Sequence, residues 1–191
     1  MGVHTLMRRA VFLDRDGVLN RAFVRGGKPR PPANLDELEI LAGVAPALQR
    51  LKKADFVLVG ITNQPDVARG DTHREIVEAI NASLLAALPL DDILVCYHDD
   101  RDACDCRKPK PGLLLEASRR FEVDLGASFM VGDRWRDVAA GRSAGCRTVF
   151  VDYSYAEPRP ERPDLIVRSL AAAVSWILSV ELSEDTALRL T

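Results

Sequence analysis

The chain has no long run of charge of one sign and a formal net charge of only -2, so nothing draws it as a whole to nucleic acid or to an anionic membrane surface. Any anion site must be local. Aromatic residues make up 6% of the sequence, with no run of the kind on which single-stranded bases stack. A G-x-x-x-x-G-K-S/T stretch is missing, which excludes a nucleotide-binding P-loop. There is no internal repeat and no low-complexity segment. The apolar stretch after Arg8-Arg9 is broken by Asp14, too soon for a signal peptide or a membrane span. Met1-Gly2 is followed by Leu6 at the position where an N-myristoylation pattern wants Ser or Thr. A cytoplasmic chain is expected. Cysteines number only four, and three of them crowd into eleven residues beside a histidine, whereas a disulfide scaffold would spread them through a short secreted chain.

At 191 residues and 47% hydrophobic content, the chain can bury one substantial core without staples. One domain over residues 1–180 is expected, with 181–191 a frayed tail. Apolar runs at Val11-Phe12-Leu13, Phe56 to Ile61, Ile93-Leu94-Val95, Phe129-Met130-Val131, Arg147 to Val151 and Leu165-Ile166-Val167 read as strands. Helical spacing marks Gly43 to Ala54, a long helix from Asp71 or Thr72 to Leu88, Leu113 to Phe121 and Asp137 to Ala144. Strands alternating with helices predict an α/β fold with a doubly wound, Rossmann-like parallel sheet. Between Asp16 and Gly43, Gly26-Gly27, Pro29 and Pro31-Pro32 predict a loop and leave no room for a large cap. The site should be open.

Four polar motifs follow one another along the chain: Asp14-Arg15-Asp16-Gly17, Thr62-Asn63, Arg107-Lys108-Pro109 and Gly132-Asp133, with Asp137 four residues on. Three come directly after predicted strands, at the sheet edge where open α/β folds bind ligands. In extended backbone, Asp14 and Asp16 share a side, and Asp133 arrives at the same edge from another strand. Converging carboxylates repel unless a hard cation neutralises them, and Mg²⁺ suits Asp14, Asp16 and Asp133 together with a substrate phosphate. The chemistry that fits is phosphoryl transfer: a carboxylate nucleophile, a second carboxylate as general acid then base, cationic stabilisation by Mg²⁺ and Lys108, and a hydroxyl donor from Thr62.

A second constellation, Cys96-Tyr97-His98 and Cys104-Asp105-Cys106, supplies the Cys₃His set of a closed structural Zn²⁺ site, with Cys146 left as a small core residue. Such a zinc loop, 96–106, would hold Arg107 and Lys108 toward the substrate.

On these motifs the chain resembles the haloacid dehalogenase superfamily over about residues 9 to 152. The resemblance implies Asp14 as nucleophile, Asp16 as acid/base, and Thr62, Lys108 and Asp133 as the remaining motif residues, with Asp137 as an outer or secondary acid. Asp-Arg-Asp-Gly, Thr-Asn-Gln and Cys-Asp-Cys-Arg-Lys-Pro narrow it to the lid-less zinc-loop group that contains the heptose 1,7-bisphosphate and histidinol-phosphate phosphatases. Val67-Ala68-Arg69-Gly70 is similar to the Ile-Ala-Arg-Gly of the heptose enzymes. Implied substrate contacts are Asn63, Arg69, Arg107 and Arg134, and the implied substrate is D-glycero-D-manno-heptose 1,7-bisphosphate or a similar small phosphorylated sugar, handled by a monomer of nucleotide-activated heptose metabolism. Histidinol phosphate is the alternative substrate. A nucleic-acid end-processing protein is the alternative of another class, disfavoured by charge and by the missing aromatic run. Pro65-Asp66 departs from the heptose enzymes' Ser-Gly. Residues 21 to 42 are longer than theirs and rich in proline and basic residues, Arg21, Arg25, Lys28 and Arg30, and read as a solvated loop.

Overall fold

Ala10–Leu13 (β1) is buried along its whole length, which requires a central strand covered on both faces. In the computed structural model, which describes residues 7–189 and side chains through Glu181, that strand lies at the middle of a six-stranded parallel sheet. The Met1-Gly2 signal lies outside the described residues. A hairpin of Phe23–Arg25 (β2) and Lys28–Arg30 (β3) comes next, then helix Val44–Lys53 (α1), strand Val57–Asn63 (β4), and helices Asp66–Arg69 (α2) and Arg74–Ala87 (α3). Asp92–Cys96 (β5), Gly112–Phe121 (α4), Phe129–Gly132 (β6), Trp135–Ala144 (α5), Arg147–Val151 (β7), Leu165–Val167 (β8) and Leu170–Arg189 (α6) complete the chain.

The sheet order is β5-β4-β1-β6-β7-β8. The chain therefore winds outward from β1 in one direction and returns to wind in the other, which opens a crevice at the carboxyl end of β1. Strand periodicity divides the core between the two faces. Val11 and Leu13 pack with Leu48, Leu84 and Ile177 from α1, α3 and α6, whereas Ala10 and Phe12 pack with Leu113, Ala117 and Ala140 from α4 and α5. Phe129 meets Phe56 and Trp176 edge to face, with ring centroids 6.1 and 5.8 Å away.

Three elements depart from the sequence reading. The expected loop of residues 20–42 contains the β2–β3 hairpin, because Gly26 and Gly27, at φ 59° and 75°, form the two-residue turn that positive φ permits. Pro29 is tolerated there because the hairpin is a separate two-stranded ribbon in which it faces Val24. The four-residue α2 is too short to show a period; its last carbonyls are satisfied by Gly70 in the left-handed region, and α3 starts at Arg74 rather than at Asp71 or Thr72. Finally, α6 continues to Arg189 instead of giving way to a frayed tail at Glu181. Glu181 itself is buried and pairs with Arg9. Among the described residues no helix is long and apolar enough to cross a membrane.

Candidate active site

Where β1 ends, the Asp14 amide donates to the Val131 carbonyl of β6 at 2.9 Å, so the two strand ends advance into the crevice together. Carboxylate oxygens of Asp14, Asp133 and Asp137 lie within 4.8 Å of one another, all buried. The Lys108 ammonium reaches Asp14 Oδ1 at 2.5 Å, Asp137 Oδ1 at 2.6 Å and the Ile61 carbonyl at 2.6 Å. Burial opposes its charge, but Asp137 and Asp14 outweigh that and hold its pKa above the ordinary lysine value. One cation thus faces three acids. Burial pushes the Asp14 carboxyl up to about 6, against the lowering pull of Lys108.

Asp133 is the acid left over. Among the described residues neither of its buried carboxylate oxygens has a hydrogen-bond partner at full geometry, although the Tyr155 hydroxyl lies near enough to favour its charged form. Burial, with Asp14 and Asp137 adding to it, drives the Asp133 pKa well above the carboxylate range. A buried carboxylate in this condition costs several kcal/mol unless it takes a proton or a cation. Gly17 leaves the space open: at φ 102°, a Cβ there would fall 1.9 Å from Asp133 Oδ2. An all-oxygen set of converging acids has the donor chemistry of a hard divalent cation.

Asp16 does not join this cluster. The backbone bends at Arg15 directly after β1, so the extended geometry that would align residues 14 and 16 does not hold. The Asp16 carboxylate instead accepts from Arg15 at 2.9 and 3.0 Å, from Asn20 at 2.9 Å and from Gln64 at 2.8 Å, and Asp137 occupies the third place in the triad. Arg15 is fully buried and steadied by Asn81 of α3 at 2.8 Å. Gln64 also donates to Thr62 Oγ1 at 2.9 Å, which leaves the Thr62 hydroxyl proton free to face the cavity that it lines. Asn63, read from the sequence as a substrate contact, lends its amide to the backbone of Lys108: Nδ2 donates to the carbonyl at 3.0 Å and Oδ1 accepts from the N–H at 3.1 Å. It positions the lysine.

The Cys96, His98, Cys104 and Cys106 donors come together at the end of β5. Cys106 Sγ lies 3.2 Å from Cys96 Sγ, 3.5 Å from Cys104 Sγ and 3.3 Å from His98 Nδ1, and Cys96 Sγ lies 3.7 Å from both Cys104 Sγ and His98 Nδ1. Tetrahedral coordination with metal–sulfur bonds near 2.3 Å spaces sulfurs by about 3.8 Å, so these four can hold one ion with little movement. Gly112 lets the loop close, since a Cβ there would lie 2.3 Å from the Asp105 carbonyl oxygen. Cys146 is buried elsewhere, and burial pushes its thiol up to about 12.

Asp14, Asp16, Thr62 and Lys108 open into a cavity of about 500 Å³. Its rim carries every arginine predicted to touch substrate, each engaged with an acid. Arg69 pairs with Asp99 at 2.6 Å and Asp66 at 3.2 Å, Arg107 with Asp100 at 2.7 Å, and Arg134 with Glu157 through two hydrogen bonds, one of 2.8 Å. Residues 28–31 of the hairpin line the same cavity. The sequence reading does not reach Arg15, Asn20, Gln64 or the hairpin wall. The Thr-Asn-Gln triplet was the available signal for Gln64, and Gly26-Gly27 the signal for the hairpin.

The HAD-hydrolase-like family model matches residues 105–173, which carry the Lys108 and Asp133 motifs. The D-glycero-beta-D-manno-heptose-1,7-bisphosphate 7-phosphatase of Pasteurella multocida is 38% identical over 159 residues, covering 76% of this chain and 82% of the relative. The enzyme of that name from Escherichia coli K12 is 35% identical over 184 residues, covering 89% of this chain and 88% of the relative. The crystal structure of D,D-heptose 1,7-bisphosphate phosphatase from B. bronchiseptica, complexed with magnesium and phosphate, superposes with a TM-score of 0.73 at 32% identity, covering 90% of this chain and 98% of that one. With the carboxylate cluster, the lysine and the Cys₃His loop in place, the chain belongs to the haloacid dehalogenase superfamily of hydrolases, in the group of the heptose-bisphosphate phosphatases.

Proposed function

We propose that this phosphoric monoester hydrolase removes the 7-phosphate of D-glycero-β-D-manno-heptose 1,7-bisphosphate through an aspartyl-phosphate intermediate. The observation that carries the reading is the floor of the cavity, where Asp14 is gripped through Oδ1 by Lys108 beside the unpartnered carboxylate of Asp133. Bound at Asp14, Asp133 and Asp137, Mg²⁺ would neutralise the acids and draw charge from the phosphoryl oxygens. Asp14 Oδ2, free of the lysine, attacks phosphorus while the ester bond to the sugar oxygen breaks. Lys108 and the Thr62 hydroxyl stabilise the equatorial oxygens. Asp16 gives its proton to the departing sugar oxygen, then takes one from the water that cleaves the acyl phosphate. Arg15, Asn20 and Gln64 hold Asp16 at the cavity wall between these transfers.

Zn²⁺ is the ion proposed for the Cys₃His loop, in a closed structural role, since all four places are taken by protein donors. The heptose substrate is supported by the names of relatives 32–38% identical, such as those of Pasteurella multocida, Haemophilus ducreyi and Escherichia coli K12, each called a D-glycero-beta-D-manno-heptose-1,7-bisphosphate 7-phosphatase. A cytoplasmic location and a monomeric chain complete the reading, the location supported by thiols gathered at a metal-type cluster rather than in disulfides. The test is phosphate release from heptose 1,7-bisphosphate, histidinol phosphate and 3′-phosphorylated oligonucleotides with Mg²⁺. The bisphosphate should be turned over with the highest kcat/KM; a preference for either of the others would overturn the assignment.

A further inference from the structure

The rim of the cavity has more cations than acids, and the cations without an acid partner sit on the hairpin. Arg69, Arg107 and Arg134 each have a carboxylate partner, and Arg136 shares Asp100 with Arg107 at 3.5 Å. Lys28 and Arg30 line the same cavity, yet among the described residues their side chains have neither an ion pair nor a hydrogen bond. Their backbone is also held in place. Residues 28 and 30 are two apart on β3 and so project from one side of the ribbon. The ribbon is registered by Phe23 against Arg30 and Arg25 against Lys28. Its turn is tied to the far loop by the Ala156 amide, which donates to the Gly27 carbonyl at 2.9 Å, and Gly27 lies so close that a Cβ there would fall 2.7 Å from that of Ala156. Pro31-Pro32 stiffens the exit from the strand.

From this placement we infer that Lys28 and Arg30 form the subsite for the phosphate that is not hydrolysed, so that the hairpin sets the preference for a bisphosphate. The inference rests on the proposed sugar bisphosphatase reading and extends it to two exposed cations of the hairpin, where the sequence suggests only solvated charge. A ligand with one phosphate against Asp14 and Lys108 needs its second charge met at the rim. There the arginines must first be shared with Asp100, Asp99 and Glu157, while the hairpin cations have no competing partner. A cavity of about 500 Å³ that includes both the floor and β3 has room for one sugar to span them.

The experiment compares kcat/KM of the wild type, the double variant Lys28→Ala/Arg30→Ala and the control Arg25→Ala, on heptose 1,7-bisphosphate and on heptose 7-phosphate. Arg25 lies on the same hairpin but does not line the cavity. Because the two truncated side chains have no protein partner, the melting temperature should be unchanged. With roughly tenfold lost per charge-assisted contact, the double variant should lose about 100-fold on the bisphosphate, mainly through KM, and less than about threefold on the monophosphate. Arg25→Ala should match the wild type on both. Equal losses on both substrates, or an equal loss in Arg25→Ala, would overturn the subsite. Retention of the wild-type preference in the double variant would overturn the subsite alone, whereas a wild type with no preference for the bisphosphate would overturn the substrate reading and the subsite with it.

Discussion

Lys108 is the residue through which most of the site communicates. Its ammonium joins the Asp14 and Asp137 carboxylates, and its backbone is clamped on both sides by the Asn63 amide. Replacing Asn63 by Ala removes two hydrogen bonds without touching a reacting atom, so kcat should fall by about one to two decades with little change in KM for the bisphosphate. A raised KM at unchanged kcat would instead return Asn63 to the role of a substrate contact. Asp14→Asn should abolish turnover with the fold intact, since an amide of nearly the same shape is a poor nucleophile; activity near wild type would remove Asp14 from that role. That Asp14, Thr62 and Asp133 meet at one sheet edge was legible in the sequence because each stands at a strand end, whereas Lys108 comes from a loop and was marked only by its motif. Orientation was not legible. Asp16 was assigned to the metal on the premise of extended backbone, and the bend at Arg15 cancels that premise. Asn63 carried no sign that its partner would lie 45 residues away.

Among the elements, the Cys₃His loop and the β2–β3 hairpin flank the cavity by different physical means. The loop brings together four donors whose spacing announces metal chemistry, which is why their gathering at one place was legible from residue types alone. The hairpin depends on a two-glycine turn and on long-range contacts to Ala156, and its Pro and Gly content looks like a loop until positive φ is recognised as turn chemistry. α2 escaped detection because four residues cannot show a helical period. Cys104→Ser should lose the bound ion, about one per chain by elemental analysis in the wild type, and lower kcat/KM by freeing the segment that carries Arg107 and Lys108. The sheet should survive, because its two apolar clusters are built mainly from the strands and the five larger helices, with Cys104 and Cys106 only packed against the margin of one. Far-ultraviolet circular dichroism close to wild type, together with lost activity, is the expected pair of results. Full activity in an ion-free wild type would refute the loop's dependence on metal.

On the scale of the whole molecule, the burial that shapes the floor of the crevice also sets how stability responds to pH and Mg²⁺. Asp14 is raised to about 6 and Asp133 well above the carboxylate range, burial being the first cause in both. A raised acid binds its proton more tightly in the folded state, so its favourable contribution is fully present below the unfolded value near 3.8 and is lost as pH rises through the folded one. The opposing groups act elsewhere. Asp99, Asp100 and Asp152 are lowered, by hydrogen bonds from Arg69, Arg107 and Arg159 first, so their contributions change only below the ordinary carboxylate range. Lys108, held above its ordinary 10.5, changes only above that value. Between pH 5 and 8 the two buried acids therefore dominate. Protein dialysed free of Mg²⁺, with the thiolate site still metallated, should melt at progressively lower temperature as pH rises across that interval. Saturating Mg²⁺ competes with the same protons, so its stabilising shift should be larger at pH 8 than at pH 5 and should flatten the profile. In Asp133→Asn, where one titrating acid is gone, the slope without Mg²⁺ should be shallower and the response to Mg²⁺ weaker, with activity partly restored at higher Mg²⁺. Calorimetric melting of both proteins across the interval checks this, and a Mg²⁺-free wild type whose melting temperature climbs with pH would show that the buried acids find their counter-charge within the chain.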